Sequence, residues 1–204
     1  MTERAPVEFF FDFISPFGFL ASLRVDALAA AHGREARWQS MLLGVSVLKV
    51  MGMQPLPKTP LKGPYLRRDL GRYLRRHGLY LGRDLDRPPA NPIPAGRAFH
   101  ALDARSPELA RRVARALLQA YWIEDRDIGD PAIVAAVAGD AGAEAAAVLD
   151  AIGSGEGDRL LRAAVDASLN KGVFGSPFFL VDGEPFFGLE KMELLAEWLD
   201  SGGW

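Results

Sequence analysis

The residues best suited to chemistry are Ser15 and Pro16, which directly follow the apolar stretch Val7 to Ile14. Serine is a favoured helix N-cap and proline fits the first helical position, so the pair predicts a helix start. A hydroxyl there can donate a hydrogen bond to a bound thiolate and lower the pKa of the thiol. Because the chain has no cysteine, that sulfur must come from another molecule. The simpler interpretation is that Ser15 only caps the helix, a contribution of about 1 kcal/mol.

Motifs for metal, nucleotide and hydrolase chemistry do not occur in the sequence. His32, His77 and His100 show neither metal-ligand spacing nor a cysteine partner. The chain contains no Gly-x-Ser-x-Gly elbow, no Walker loop and no Gly-x-Gly-x-x-Gly fingerprint. We therefore expect no metal site, and Ser15 remains the candidate catalytic residue.

Composition predicts a folded protein with neither a nucleic-acid nor a membrane partner. The 204 residues are 49% hydrophobic and 25% charged, which is enough to build a core without disulfides. A net charge of -2 provides no overall basic field for nucleic acid. Glu8, Asp12 and Pro16 interrupt the apolar start of the chain, which argues against a signal peptide. No stretch approaches the roughly 20 apolar residues of a membrane span. We expect a cytoplasmic protein.

The elements around Ser15 predict a βαβ unit. Val7 to Phe13 is rich in aromatic residues and indicates a buried strand. A helix is predicted from Ser15-Pro16 to Gly33, with apolar residues at helical spacing. Glu35 to Leu43 is predicted as the second strand. The crossover between the two strands favours a parallel arrangement.

The rest of the chain predicts a block of helices followed by a hairpin and a last helix. An irregular loop from Gly44 to Pro64 precedes the helices, which continue to Lys171. The predicted elements after it are a strand at Val173 to Val181, a turn at Asp182 to Pro185, a strand starting at Phe186-Phe187 and a helix at Lys191 to Leu199.

This order, βαβ then helices then ββα, predicts an α/β thioredoxin-like fold with an inserted all-helical domain. The predicted thioredoxin-like domain comprises residues 1–50 and 172–204, and the insertion residues 51–171. In such a fold the corner between the first strand and the first helix is the reactive one. Redox proteins of this fold carry Cys-x-x-Cys there, whereas this chain has Ser15 and Gly18. Dithiol electron transfer is therefore excluded.

Several groups of residues resemble 2-hydroxychromene-2-carboxylate isomerase and kappa-class glutathione transferase, in the DsbA-like branch of the thioredoxin superfamily. They are Phe11 to Phe17, Tyr65 to Leu70, Ala120-Tyr121-Trp122 with Arg126-Asp127-Ile128, and Gly172 to Pro177 with Phe187-Gly188. The likeness covers nearly the whole chain.

The resemblance implies a glutathione site. Ser15 matches the serine that hydrogen-bonds the glutathione sulfur, and Ser176-Pro177 matches a cis-proline loop whose main chain pairs with the tripeptide. From the residues alone we would expect this peptide bond to be trans. Lys62 matches a loop lysine that meets a carboxylate, or it is simply an exposed charge. Leu189-Glu190 matches the pair that holds the γ-glutamyl end, with Glu190 receiving the ammonium.

Three residues depart from the family pattern. Relatives often have asparagine where this chain has Met53, and serine or glutamine where it has Leu189. Gly18 stands where many isomerases have a small hydroxyl residue.

The resemblance implies a glutathione-dependent cis/trans-type isomerase of aromatic pyruvate compounds, with glutathione as cofactor, a small aromatic substrate and a homodimeric state. One alternative is a kappa-like glutathione S-transferase, in which the thiolate stays attached to an electrophile. A second alternative is a non-redox thioredoxin-like binding module whose Ser-Pro loop holds an extended peptide. Met53 and Leu189 favour this second alternative.

Overall fold

A four-stranded mixed sheet in the order β2-β1-β3-β4 organises the protein. The computed structural model describes residues 4–204. Strand β1 (Val7–Phe11) pairs in parallel with β2 (Ala36–Ser40), as the crossover predicted. It pairs antiparallel with β3 (Phe178–Val181), which forms a hairpin with β4 (Glu184–Phe187). The central strand therefore has the first helix at one end and the hairpin at its side.

Helices follow the first βαβ unit and fill the middle of the chain. The α-helices are α1 (Pro16–Ser22), α2 (Val25–Ala31), α3 (Lys62–His77), α4 (Ile93–Asp103), α5 (Pro107–Trp122), α6 (Pro131–Asp140), α7 (Ala145–Gly153), α8 (Gly155–Asn170) and α9 (Met192–Ser201). A π-helix spans Gly44–Val50, and 3-10 turns span Leu56–Lys58 and Leu189–Lys191. Across residues 4–204, no helix combines the length and the apolar character that a bilayer crossing requires.

The predicted helix from Ser15-Pro16 to Gly33 is wrong in one respect, because it divides into α1 and α2. The Ser22 hydroxyl donates to the Phe19 carbonyl within α1 (2.6 Å), a local bond that weakens helix continuation. Just beyond the break, the Asp26 carboxylate accepts a hydrogen bond from Trp38 Nε1 on β2 (3.1 Å). This bond ties α2 to the sheet separately from α1.

Aromatic side chains fix the end of β1 from several directions. Phe9 packs edge-on against Trp38 of β2, with ring centroids 5.2 Å apart, and stacks on Phe179 of β3 at 5.4 Å. Phe11 packs edge-on against Phe99 of α4 at 5.6 Å. All five residues are almost fully buried in one hydrophobic core. That core contains residues from both predicted domains. Because it holds the end of β1 in place, the residues that follow Phe11 start from a fixed position.

Candidate active site

Ser15 lies in the turn between β1 and α1, where it caps the helix. The Gly18 N–H donates to Ser15 Oγ (3.0 Å), the N-cap bond that the Ser-Pro pair predicts. The Ser15 hydroxyl in turn donates to the Ser176 carbonyl (3.0 Å). Only 4% of Ser15 is exposed. Its hydroxyl therefore bridges the start of α1 and the loop before β3.

That loop contains a cis peptide bond between Ser176 and Pro177, as the resemblance implies. The Ser176 Oγ accepts a hydrogen bond from the Asp12 N–H (3.0 Å), so the loop is attached to the end of β1. The Gly188 N–H donates to the Pro177 carbonyl (3.1 Å). The structure thus brings Ser15 and Ser176-Pro177 together, although they are 161 positions apart in sequence.

Gly18 has close neighbours on both of these elements. A Cβ atom on residue 18 would lie 2.6 Å from Ser176 Oγ and 3.1 Å from Ser15 Cβ. The first distance is shorter than real Cβ contacts allow, so a larger residue requires Ser176 to move. The glycine at this position permits the close approach of helix α1 and the cis-proline loop.

Asp12 is a site residue that sequence reasoning did not single out. It is fully buried, and its carboxylate accepts hydrogen bonds from the Ile14 N–H (3.1 Å) and the Leu43 N–H (2.7 Å). Burial raises the pKa of this carboxyl to about 6, although the two N–H donors oppose the rise. The only indication in the sequence was a single charge inside an aromatic run. Asp12 joins the turn before Ser15 to the chain after β2.

The first turn of α1 offers one further donor. Pro16 has no N–H, and the Gly18 and Phe19 N–H groups donate to Ser15 Oγ and to the Ser15 carbonyl. The Phe17 N–H pairs with none of the residues that the structure describes. Because α1 has only seven residues, its first turn offers these individual N–H groups and no strong helix dipole.

Lys62 begins α3 and is exposed to solvent. Its N–H donates to the Pro60 carbonyl (2.7 Å) across Leu61, whose φ of 64° closes a strained γ-turn. No carboxylate within residues 4–204 forms an ion pair with the Lys62 ammonium, and no hydrogen bond joins it to Ser15 or Ser176. Its predicted role in a ligand site therefore stays a prediction.

Leu189 and Glu190 follow the hairpin next to the cis-proline loop. The Leu189 side chain is 4% exposed and belongs to the hydrophobic core, so only its main chain can meet a ligand. Glu190 is exposed, and its carboxylate lies close to Gly188. A Cβ atom added to Gly188 would lie 2.7 Å from both oxygens of this carboxylate. Gly188 is the residue whose N–H binds the Pro177 carbonyl. This places the Glu190 charge beside the loop that contains Ser176.

Met53 lies on the long connection after β2, outside the group formed by Ser15, Ser176 and Asp12. The residue is 52% exposed, and its N–H donates to the Val47 carbonyl (2.9 Å). No hydrogen bond connects it to Ser15 or Ser176 within the part of the chain that the structure describes.

The sequence of this chain matches the family model of the DsbA-like thioredoxin domain over residues 6–200. The protein belongs to the DsbA-like family. A structure of selenomethionine-labelled 2-hydroxychromene-2-carboxylate isomerase superposes with a TM-score of 0.83 at 23% identity, covering 97% of this chain and 95% of the other. The predicted thioredoxin-like fold with its inserted helices is thereby confirmed.

Curated relatives of this DsbA-like protein are enzymes. Glutathione S-transferase kappa 1 of Homo sapiens is 27% identical over 208 residues, covering 95% of this chain and 90% of the relative. The 2-hydroxychromene-2-carboxylate isomerase of Sphingobium xenophagum is 26% identical over 194 residues, covering 95% and 97%. The resemblance that the sequence motifs predicted is confirmed at the level of the family.

In this DsbA-like protein the buried indole of Trp122 contacts the turn that leads to Ser15. Its Nε1 donates to the Phe13 carbonyl (2.9 Å), which holds the turn between Asp12 and Ser15 in place. Trp122 is 3% exposed, so it positions the main chain and does not present its ring to a ligand.

Proposed function

We propose that this protein is a glutathione-dependent cis/trans-type isomerase of aromatic pyruvate compounds. The observation that carries the proposal is the Ser15 hydroxyl, which donates to the cis-proline loop at Ser176 (3.0 Å) in a chain without cysteine. A hydroxyl in that position suits a sulfur brought by a ligand. The isomerase from Sphingobium xenophagum, a relative along nearly the whole chain, supports the reaction class.

The main chain at Ser176 fits a tripeptide ligand. The Ser176 N–H pairs with no residue among 4–204, and its carbonyl accepts only the Ser15 hydroxyl. A carbonyl oxygen has two lone pairs, so it can accept a further N–H. One free donor and one available acceptor on the same residue can pair with an extended peptide in the manner of an added strand. These groups suit the cysteinyl part of glutathione.

Bound glutathione would supply a thiolate for reversible addition to the conjugated double bond of the substrate, which would allow that bond to rotate. The Ser15 hydroxyl has one hydrogen, which must turn from the Ser176 carbonyl to the sulfur. The Ser176 carbonyl would then have both lone pairs available to an N–H of the tripeptide. The Phe17 N–H, which pairs with no residue among 4–204, would be a further donor on the first turn of α1. Together these groups lower the thiol pKa.

Two charged residues complete the proposed glutathione site. Glu190 beside Gly188 is suited to the ammonium of the γ-glutamyl end, and Leu189 contributes main-chain groups only. The exposed ammonium of Lys62 is suited to a carboxylate of glutathione or of the substrate. The cofactor site that we propose consists of Ser15, Lys62, Ser176, Pro177, Leu189 and Glu190.

The connection after β2 suits an apolar, negatively charged substrate. It starts next to the site, because Leu43 is bound to Asp12 (2.7 Å). Between residues 44 and 61 the chain has no Asp or Glu but has Lys49 and Lys58, and Lys62 follows at the start of α3. Many apolar residues of the connection are more than a third exposed: Leu48, Val50, Met51, Met53, Leu56 and Leu61. An aromatic ring with a carboxylate would complement both properties.

A turnover assay with glutathione and an aromatic pyruvate substrate tests the proposal. We expect the isomers to interconvert over many turnovers while the amount of free glutathione stays constant. Turnover that is independent of added glutathione would refute the proposal.

A glutathione S-transferase is the second candidate, and the kappa-class human relative supports it. In that reaction a new carbon–sulfur bond persists, and an electrophile loses a leaving group or gains a proton. The same assay distinguishes the two, because a transferase consumes one glutathione for each product molecule.

A further inference from the structure

The Ser176 hydroxyl has a hydrogen that the protein itself does not use. Its oxygen accepts a hydrogen bond from the Asp12 N–H (3.0 Å), and no residue within 4–204 accepts the hydrogen. Because Asp12 is fully buried, this bond fixes the oxygen against the end of β1, while Ser176 itself is only half-buried. A hydroxyl has one donor and two acceptor sites. The Ser176 donor therefore remains available to a ligand.

Gly18 brings this hydroxyl next to that of Ser15. A Cβ on residue 18 would lie 2.6 Å from Ser176 Oγ and 3.3 Å from Ser15 Oγ. Both oxygens thus border the space that a side chain at position 18 would fill. One hydroxyl comes from the start of α1 and the other from the cis-proline loop.

We propose that the Ser176 hydroxyl donates a second side-chain hydrogen bond to the sulfur of bound glutathione, beside that of Ser15. This inference rests on the proposed function and makes Ser176 a catalytic residue as well as a main-chain partner of the tripeptide. A sulfur anion accepts several hydrogen bonds, and each one stabilises the thiolate relative to the thiol.

The Ser15 and Ser176 hydroxyls differ in the hydrogen bonds that they must break in order to bind a ligand. The Ser15 hydrogen must leave the Ser176 carbonyl before it can reach a ligand, whereas the Ser176 hydrogen has no acceptor to leave among residues 4–204. Donation by Ser176 also keeps its bond from the Asp12 N–H, because that bond uses a lone pair and not the hydrogen. The Ser176 hydroxyl is therefore held in place before the ligand arrives.

The central test is Ser176→Ala in the full-length protein saturated with glutathione. We expect the pKa of the bound thiol to rise towards that of free glutathione, and turnover to fall roughly tenfold to a hundredfold, as for loss of one bond to a charged group. The ultraviolet absorbance of the thiolate across a pH titration measures the pKa. Calorimetric affinity for S-methylglutathione, which has no ionisable thiol, should change little.

Two further variants separate donation to sulfur from the structural bond to Asp12. Ser176→Thr keeps a hydroxyl and should keep the low thiol pKa. Gly18→Ser alone should impair binding because it collides with Ser176 Oγ. The double variant Gly18→Ser with Ser176→Ala has a hydroxyl at position 18, close to where the Ser176 hydroxyl lies in the wild type. It should restore a low pKa of the bound thiol.

The outcomes distinguish this inference from the proposed function. If Ser176→Ala binds glutathione with the wild-type thiol pKa, the second donor is refuted while the proposed function stands. If wild-type protein binds glutathione without lowering its thiol pKa, or does not bind it, both are refuted. A double variant that stays as impaired as Ser176→Ala also contradicts a donor role for this position.

Discussion

At the scale of single residues, Ser15 combines a structural and a chemical role that can be separated. Its oxygen accepts the Gly18 N–H, as any serine N-cap would, and its hydrogen is directed to the cis-proline loop. The protein contains a second Ser-Pro helix start at Ser106, whose Oγ accepts the Leu109 N–H (3.3 Å). Ser106 therefore provides a matched control that has the cap without the loop.

Replacing Ser15 by alanine should abolish most glutathione-dependent turnover, whereas Ser106→Ala should leave it intact. Both changes remove an N-cap, which should lower the free energy of unfolding by about 1 kcal/mol. Ser15→Ala also removes the hydrogen bond to the Ser176 carbonyl, which should cost about 1 kcal/mol more. Only Ser15→Ala removes the hydroxyl that we propose as a donor to the glutathione sulfur, a loss of roughly a hundredfold or more in kcat. Urea unfolding and steady-state kinetics on both variants measure the two effects. Equal turnover in the two variants would disprove the role of Ser15.

The anchoring role of Asp12 could not be recognised from its residue type alone. Its position in an aromatic run marked it as an interruption of the apolar pattern. Its function as an anchor depends on the Leu43 N–H, which is 31 positions away and reaches it only after β1 and β2 have paired. A contact of this kind follows from the folded sheet and not from local sequence.

At the scale of elements, the connection between β2 and α3 differs most from its prediction. A loop was predicted from Gly44 to Pro64, yet the structure has a π-helix at Gly44–Val50 and starts α3 at Lys62 instead of Tyr65. The γ-turn at Leu61, which is 88% exposed, sets the start of α3. Its positive φ is unusual for leucine, so the sequence did not indicate it.

Removal of the Lys62 charge should weaken binding of carboxylate ligands without affecting the chemical step. We expect Lys62→Gln to raise KM or Kd a few-fold at low salt and to leave kcat unchanged, because an exposed charge acts through screened attraction. Added salt should reduce the difference from wild type. Titrations at two ionic strengths provide the measurement.

Lys58→Gln is the control for Lys62, since Lys58 is also exposed and lies on the same connection. An identical effect of both variants would indicate a general basic field instead of a specific contact. No change in either KM or Kd for Lys62→Gln would remove Lys62 from the site.

At the scale of the whole molecule, two buried groups should make stability respond to pH in opposite directions. Burial raises the pKa of Asp12 from 3.8 to about 6 and lowers that of His100 from 6.5 to about 4, with Arg37 adding to the second effect. Asp12 contributes stability that is fully present below pH 3.8 and lost as pH rises through about 6. His100 contributes stability that is present above pH 6.5 and lost as pH falls through about 4.

Removing one of these groups should reveal the pH dependence of the other. Between about pH 4 and pH 6.5 we expect the free energy of unfolding to rise with pH in Asp12→Asn and to fall in His100→Gln, each on the order of 3 kcal/mol. Glutamine can still donate to the Ser40 carbonyl that His100 Nε2 contacts (3.0 Å). Urea unfolding at successive pH values tests this. Parallel profiles for wild type and Asp12→Asn would contradict a titrating Asp12.

The order of elements was predictable, because aromatic strands and Ser-Pro helix starts are local patterns. The cis-proline loop followed only from the family resemblance, since the residues alone favoured a trans peptide bond. The break between α1 and α2 was not predictable from the sequence, because it accompanies a hydrogen bond between Asp26 and Trp38, which lie on different elements. The same is true of Ser176 Oγ and the Asp12 N–H, which are 164 positions apart. Contacts between distant segments decided the details that the sequence did not indicate.

The tight fit at Gly18 also restricts which chemistries this scaffold can acquire by mutation. Introducing cysteines at positions 15 and 18 would place the second thiol on a Cβ that collides with Ser176 Oγ in its present position. The Ser176 side chain would have to turn away, which would break its bond with the Asp12 N–H, or be replaced. A dithiol form of this scaffold therefore requires a rearranged or substituted cis-proline loop beside the helix cysteine.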